Sequence, residues 1–354
     1  RMISAIGAVI GIGVGLLIIK LRADKGYYNQ VMKLYLISDD LTHKSLLLES
    51  VGLQESWWSI RSQNKSIVFV ESAWQGYKNR WKYKIASYPD VPKRNNHALR
   101  RLVERAKDKG IPTVFWNKED GVHFDRFIDS AKLFDHVFTV DENCIPKYKA
   151  VMGENASVHT LMFAVQPKFH SFDGFHFKHH RANFVGSYSH HIHDRRRMWQ
   201  DAMFQTASNT GLGLTIFDRN SDRKSSNYRY PVLPEMEILP ALSYPQTAQV
   251  YKDYLVSLNV NTIEDSATMF SRRLVEILAC GGIAVTNPSL AVEQMFADYC
   301  HVVCNADEMQ ELFTRLKYGP SADDLARAEA GARYVAQNHT WKHRLEQIAK
   351  VIGL

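Results

Sequence analysis

The sequence predicts an α/β protein made of two Rossmann-like, doubly wound halves that face each other across a central cleft, preceded by an apolar N-terminal helix. Two observations predict this. Short apolar runs rich in β-branched and aromatic residues alternate with amphipathic stretches. That alternation occurs twice, interrupted once by a polar stretch near the middle of the chain. The 354 residues, 45% apolar and 23% charged, suffice for two cores. There is no internal repeat, low-complexity tract or Pro/Ser-rich linker.

In the first half, 33–38 (KLYLIS), 66–71 (SIVFVE), 112–116 (PTVFW) and 136–140 (HVFTV) read as buried parallel strands. Between them, 96–109 places Leu99, Leu102, Val103 and Ala106 on one helical face. The polar stretch 166–181, rich in His and Phe, reads as the linker. The pattern then restarts at 183–186 (NFVG), 214–217 (LTIF), 256–259 (VSLN) and 283–286 (IAVT). A capping pattern at Ser321-Ala-Asp-Asp324 opens a late helix. The expected organisation is 1–32 apolar helix, 33–165 first domain, 166–181 linker, 182–335 second domain, and 336–354 a helix returning towards the first domain near Trp341.

Residues 3–19 carry no charge and are followed by Lys20, Arg22 and Lys25. This is the short limit of a membrane span, and Gly7, Gly11 and Gly15 suit close helix packing. A membrane anchor, with the basic flank keeping the rest cytoplasmic, stands against a helix covered by a partner. No small-x-small site marks a cleaved signal peptide. The net charge of +7 points to an anionic partner: nucleotide phosphates, a lipid-phosphate acceptor or an acidic membrane surface. No nucleic-acid module is present, so no nucleic-acid partner is expected. Four cysteines without a CxxC pair fit a reduced, cytoplasmic compartment. The histidines between 176 and 193 lack interleaved acidic or thiol ligands, so no metal site is expected there.

The chemistry concentrates in 251–282. A strand should end in the loop at 259–261, and a helix should open near Ser266 or Thr268, presenting free N–H groups and the positive helix end to an anion. Asn261 lies in that loop. Arg272 and Arg273 can neutralise a pyrophosphate bidentately, and Glu276, one turn on, can accept both hydroxyls of a ribose. Gly281 and Gly282 let the chain turn into the next strand. An i,i+4 surface pair is the plain alternative for Arg272 and Glu276. Gly186 and Tyr188 follow the first strand of the second half as a turn near phosphates, and Arg195, with Arg196 and Arg197 beside it, is a further phosphate candidate. In the first half, Glu71, Asp40 (with Asp39), Glu119 and Asp120 sit at strand ends, where a carboxylate can orient or deprotonate an acceptor hydroxyl. Each can equally cap a helix. No Asp-x-Asp pair occurs, so arginines and helix ends carry the charge work instead of a metal.

The string TMFSRRLVEILACGG (268–282) resembles the donor-site segment of the glycosyltransferases grouped with spore-maturation and capsule-biosynthesis proteins, close to the retaining GT-B superfamily. In the first half ESAW (71–74), VFWNKED (114–120), HFD (123–125) and FTVD (138–141) resemble that group's acceptor-domain strings. The match runs from about Lys33 to the end. It implies a GT-B fold, a nucleotide diphosphate sugar as donor substrate with no cofactor, and retention of anomeric configuration. It further implies a surface-glycan, lipid-linked or teichoic-acid-like acceptor. One position departs: retaining relatives often carry a glutamate eight residues before the ribose-binding one, and here Thr268 stands there. The rival readings are a non-catalytic nucleotide-sugar or glycan-binding scaffold, and a nucleotide-sugar epimerase or sugar-phosphate transferase on the same fold.

Overall fold

The computed structural model describes residues 32–54 and 65–354, so the apolar stretch 3–19 lies outside the described residues. The first half runs β1 (Lys33–Ile37), α1 (Asp40–Leu46), β2 (Gly52–Gln54), β3 (Ser66–Glu71), α2 (His97–Asp108), β4 (Thr113–Asn117), α3 (Phe124–Ala131), β5 (His136–Thr139), α4 (Ile145–Met152) and β6 (Ser157–Thr160). Its sheet is ordered β2-β1-β3-β4-β5-β6, and every neighbouring pair is parallel.

The second half begins with β7 (His179–Gly186), α5 (Asp194–Asn209), β8 (Leu214–Asp218), β9 (Met236–Pro240), α6 (Thr247–Asp253) and β10 (Tyr254–Asn259). It continues through α7 (Arg272–Ala279), β11 (Ala284–Thr286), β12 (His301–Val302), α8 (Ala306–Leu316), α9 (Ala322–Asn338) and α10 (Trp341–Ile352). Its parallel sheet is ordered β12-β11-β10-β7-β8-β9. Strands β3, β4, β8 and β10 are buried throughout, because helices cover both faces of each sheet. That is why they read as continuous apolar runs.

The edge strands β2, β6, β9 and β12 left weaker patterns. β12 has only two residues, and β9 is half-buried or exposed along its whole length. The linker also ends earlier than 181. β7 starts at His179, where its first two residues are exposed, and its fully buried stretch starts only at Ala182. Helix α7 likewise opens later than Ser266 or Thr268. Residues 266–271 form a turn instead, in which Ser266 Oγ accepts the N–H groups of Thr268 and Met269 at 3.3 and 3.0 Å. Ser271 is the N-cap of α7.

The chain crosses back at its end. Helix α9 opens with the Ser321–Asp324 capping box. The residue after it, His339, precedes a bridge between Thr340 and Val165 of the first half. Helix α10 then packs on the first half, with Trp341 edge-on to Trp116 at 5.3 Å and Arg344 donating to the Met162 and Phe163 carbonyls at 2.7 and 2.9 Å. One apolar cluster therefore spans both halves, from Leu34 and Trp116 through Phe163 and Phe270 to Trp341 and Ile348. Among the described residues, no helix is long and apolar enough to cross a membrane.

Candidate active site

Carboxyl ends of strands from both sheets converge on one cavity of about 400 Å³. This is where open parallel sheets bind ligands. The second half contributes Arg196 from α5, Arg219 after β8, the loop after β10, and Arg272, Arg273 and Glu276 from α7. The first half contributes Asp39 after β1 and Lys118 and Glu119 after β4.

Helix α7 sets the geometry of the second half's side of the cavity. Its N-cap is held from below: Asn261 Oδ1 accepts the Ser271 N–H at 2.8 Å, and Asn261 is itself fixed by Asn287 and Thr286. Asn261 thus shapes the loop that aims the helix and does not line the cavity. Arg272 Nε pairs with Glu276 Oε1 at 3.1 Å, and the Tyr244 hydroxyl donates to the same oxygen at 3.0 Å. The i,i+4 pair is real but is no surface pair, since Glu276 is only 5% exposed. The hydrogen bonds of Glu276 within the chain fall on Oε1, and its side chain lines the cavity.

Arg273 passes beside Gly186: its Nε donates to the Val185 carbonyl at 2.5 Å, and its guanidinium lies 4.5 Å from the Phe184 ring centroid. A Cβ at residue 186 would run into Arg273 Nη2 and stand 2.9 Å from the Phe184 ring. Gly186 therefore serves the site as absent volume. Burial lowers the Arg273 pKa to about 10, so it stays cationic at neutral pH. Arg196 is half-buried, and its Nε is a buried atom without a hydrogen-bond partner among the described residues. A buried donor without a partner is costly unless a ligand supplies one.

In the first half, Lys118 is buried between Asp39 and Glu71, with Nζ 3.0 Å from Glu71 Oε1 and in contact with Asp39. Burial pushes the Lys118 ammonium down, but the two carboxylates outweigh it and hold its pKa above the ordinary lysine value. Burial raises Asp39, yet Lys118 and Arg272 win and hold its carboxyl well below the usual range. Asp39 also caps α1, accepting the Thr42 N–H at 3.1 Å.

Several residues singled out in the sequence do not reach the cavity. Glu71 is fully buried behind Lys118 and accepts the Asp39 N–H and the Thr42 hydroxyl, both at 2.7 Å. Burial and the Asp39 charge push it up to about 7. Its three donors suit the ionised form, so its place is to hold Lys118 and Asp39. Asp40 points away into solvent and accepts the Lys78 N–H at 3.3 Å. Asp120 is buried behind β4 and accepts the Tyr148 hydroxyl at 2.7 Å. Tyr188 is 3% exposed and spends its hydroxyl on Asp201 at 2.7 Å. Arg195 is exposed and paired with Glu264, so its neighbour Arg196 is the one that faces the cavity. Gly281, with φ of +71°, and Gly282 close α7 at its far end against Phe172 and Ile277. Arg219 was missed although it follows a strand end, the same signal that marked the other candidates. Tyr244 had no sequence signal. Among the described residues no group of histidine, cysteine and carboxylate side chains could hold a metal.

The model of the glycosyl transferase-like family matches residues 172–350, half of the chain, a range that holds every second-half residue lining the cavity. The chain belongs to this family. No curated protein matches it in sequence. Solved structures share the fold at low identity. An alpha-glucosyltransferase in complex with UDP and DNA superposes with a TM-score of 0.59 at 11% identity, over 92% of this chain and 100% of that one. A glycosyltransferase from Rickettsia africae gives 0.51 at 10%, over 91% and 99%. TarM gives 0.50 at 10% identity, over 81% of this chain but 54% of its own, so the chain spans about half of TarM. The two facing parallel sheets are the GT-B architecture that these structures share.

Proposed function

We propose that the protein transfers a sugar from a nucleotide diphosphate donor, retaining its configuration and without a metal, to a surface-glycan, lipid-linked or teichoic-acid-like acceptor. What supports this is the convergence of four guanidinium groups (Arg196, Arg219, Arg272 and Arg273) on one cavity at the start of α7. In this reading they hold the pyrophosphate and stabilise the charge that grows on it as the glycosidic bond breaks. Glu276 Oε2 accepts the ribose hydroxyls. Asp39 and Glu119 face the space on the acceptor side. Held anionic, Asp39 suits a fixed acceptor of sugar hydroxyl bonds, and Glu119 is the better placed group to orient the incoming hydroxyl. The alpha-glucosyltransferase that shares the fold has also been seen with UDP-glucose, which makes that the first donor to try.

The ribose role is tested with Glu276→Gln, the natural donor and its 2′-deoxyribose analogue. The wild type should lose about 1.5–3 kcal/mol of affinity on moving to the analogue, the range for bonds to a charged group. The variant should barely distinguish the two. Equal discrimination by both proteins would remove Glu276 from the ribose. A chelator should leave turnover intact, because arginines are assigned the leaving-group charge; loss restored by magnesium or manganese would overturn that. A scaffold would bind donor without any product, and an epimerase would need no second substrate.

A further inference from the structure

The positive charge of this protein is not spread over it. Residues 76–109 carry eleven Lys and Arg against three Asp and Glu, a net +8, whereas the whole chain has +7. The rest of the molecule is therefore close to neutral. The basic segment is the excursion between β3 and α2, followed by α2 itself. Arg80, Lys82, Lys84 and Lys93 are exposed on the excursion, and Arg100 and Arg101 are exposed on the outer face of α2. The inner face of α2 is buried by Leu99, Leu102, Val103 and Ala106, so the charges are confined to the side away from the core.

The excursion is a fixed platform. Tyr77 donates its N–H to the Ser38 carbonyl at 2.6 Å and stacks on His43 at 3.7 Å. This pins its start beside Asp39 at the cleft. Further along, Arg94 lies over Tyr83 at 3.8 Å and Tyr88 at 5.4 Å, and Arg126 lies over Trp74 at 5.0 Å. These rings are occupied by cations of the chain itself, so what the platform offers a partner is charge. Of the large apolar side chains between 76 and 109, only Val91 is exposed, at 38%. The surface therefore suits attraction to a charged layer and not insertion into an apolar one. Its charges sit on a loop and one helix face and do not line a groove. The adjoining hollow, about 260 Å³, has Asp129 in its wall.

We infer that this face docks the acceptor domain onto an anionic lipid surface, which would bring the cleft beside Asp39 to the membrane. In sequence the same half follows an apolar stretch at 3–19 with its own basic flank at Lys20, Arg22 and Lys25, so both features favour one occupant. Clusters of basic residues bind acidic headgroups with energies that add residue by residue and fall off within a Debye length. The inference is independent of how the donor is held.

The test uses the full chain and vesicle co-sedimentation, comparing phosphatidylglycerol/phosphatidylcholine vesicles with phosphatidylcholine alone. The variant replaces Arg80, Lys82, Lys84, Arg100 and Arg101 by Gln. A control replaces five exposed basic residues of the rest of the chain (Arg223, Lys224, Lys317, Lys342 and Lys350) in the same way. Binding to neutral vesicles reports any contribution of the apolar stretch and should be equal in all three proteins. The preference for anionic vesicles should be salt-sensitive, should fall on the order of a thousandfold in the patch variant at about 1 kcal/mol per basic residue removed, and should persist in the control. Equal loss in both variants, or no preference in the wild type, overturns the inference. Loss confined to a soluble polyanion such as polyphosphate or DNA, with vesicle binding unchanged, overturns it too. Melting shifts with UDP-glucose, measured on the same proteins, report the donor site separately.

Discussion

Asp120 shows how a residue can look catalytic in the sequence and be something else in the fold. It follows a strand end, as an acceptor-orienting carboxylate should, but it turns inward to the Tyr148 hydroxyl, and its Oδ1 has no partner among the described residues. Burial pushes its carboxyl from 3.8 up to about 7, against the pull of hydrogen bonds. Between those two values the folded protein keeps a proton that the unfolded chain has released. Its contribution to stability is therefore whole below about pH 4, declines as pH rises, and is gone above about pH 7. Asp120→Asn holds the neutral form at every pH. The variant should gain on the wild type by a few kcal/mol between about pH 4 and pH 8, read as diverging melting curves. Parallel curves would mean that Asp120 does not hold a proton in the fold. Residue type and strand position were legible in the sequence; the direction of each side chain was not. The same limit separates Arg195 from Arg196, neighbours on α5 of which the first is exposed and the second half-buried against the cavity.

At the level of elements, the buried strands and α2 were legible because covered strands and one-sided helices leave strong periodic signals. The turn at 266–271 was not, because its shape comes from hydrogen bonds to distant residues. Thr268 is the clearest case. Its hydroxyl accepts the Glu142 N–H at 2.9 Å and donates to the Val140 carbonyl at 3.0 Å. Thr268 is thus a two-way bond from the second half to the segment after β5. Asn143 reinforces it by donating to the Asp265 carbonyl at 3.1 Å. Thr268→Val keeps the shape and removes both bonds, which should cost about 1–3 kcal/mol at the usual net value per bond. Thr268→Ser should restore most of it. An unchanged midpoint in urea for the valine variant would show that the halves do not depend on this bond. Thr268 is thus committed to the join and does not line the cavity, which Asp39 and Glu119 face from the other side.

The whole molecule is joined at a second place, through the return of the chain. Arg344 on α10 is 4% exposed and has no carboxylate partner among the described residues. It donates instead to the carbonyls of Met162, Phe163 and Asn338 at 2.7, 2.9 and 3.1 Å, and lies 2.7 Å from His339 Nδ1. Burial lowers its pKa to about 10 and that of His339 to about 3, so at neutral pH the arginine is charged and the imidazole is a neutral acceptor. One guanidinium thus ties the end of β6's following loop, the end of α9 and the start of α10 into a single knot. It lies beside the Trp116–Trp341 contact in the apolar cluster shared by both halves. A substitution here should act on the joint and not on donor chemistry. Arg344→Met keeps the apolar stem but leaves the three carbonyls without their donor, at roughly 1–3 kcal/mol for each buried group left unpaired. The variant should unfold at lower urea, and limited proteolysis should cut first between α9 and α10, releasing the C-terminal helix. Arg344→Lys, which can serve only part of the same set, should fall between. Donor-induced stabilisation should survive in whatever fraction stays folded, since Arg344 does not line the cavity. A methionine variant as stable and as protease-resistant as the wild type would mean that packing around Trp341 holds the crossing without Arg344.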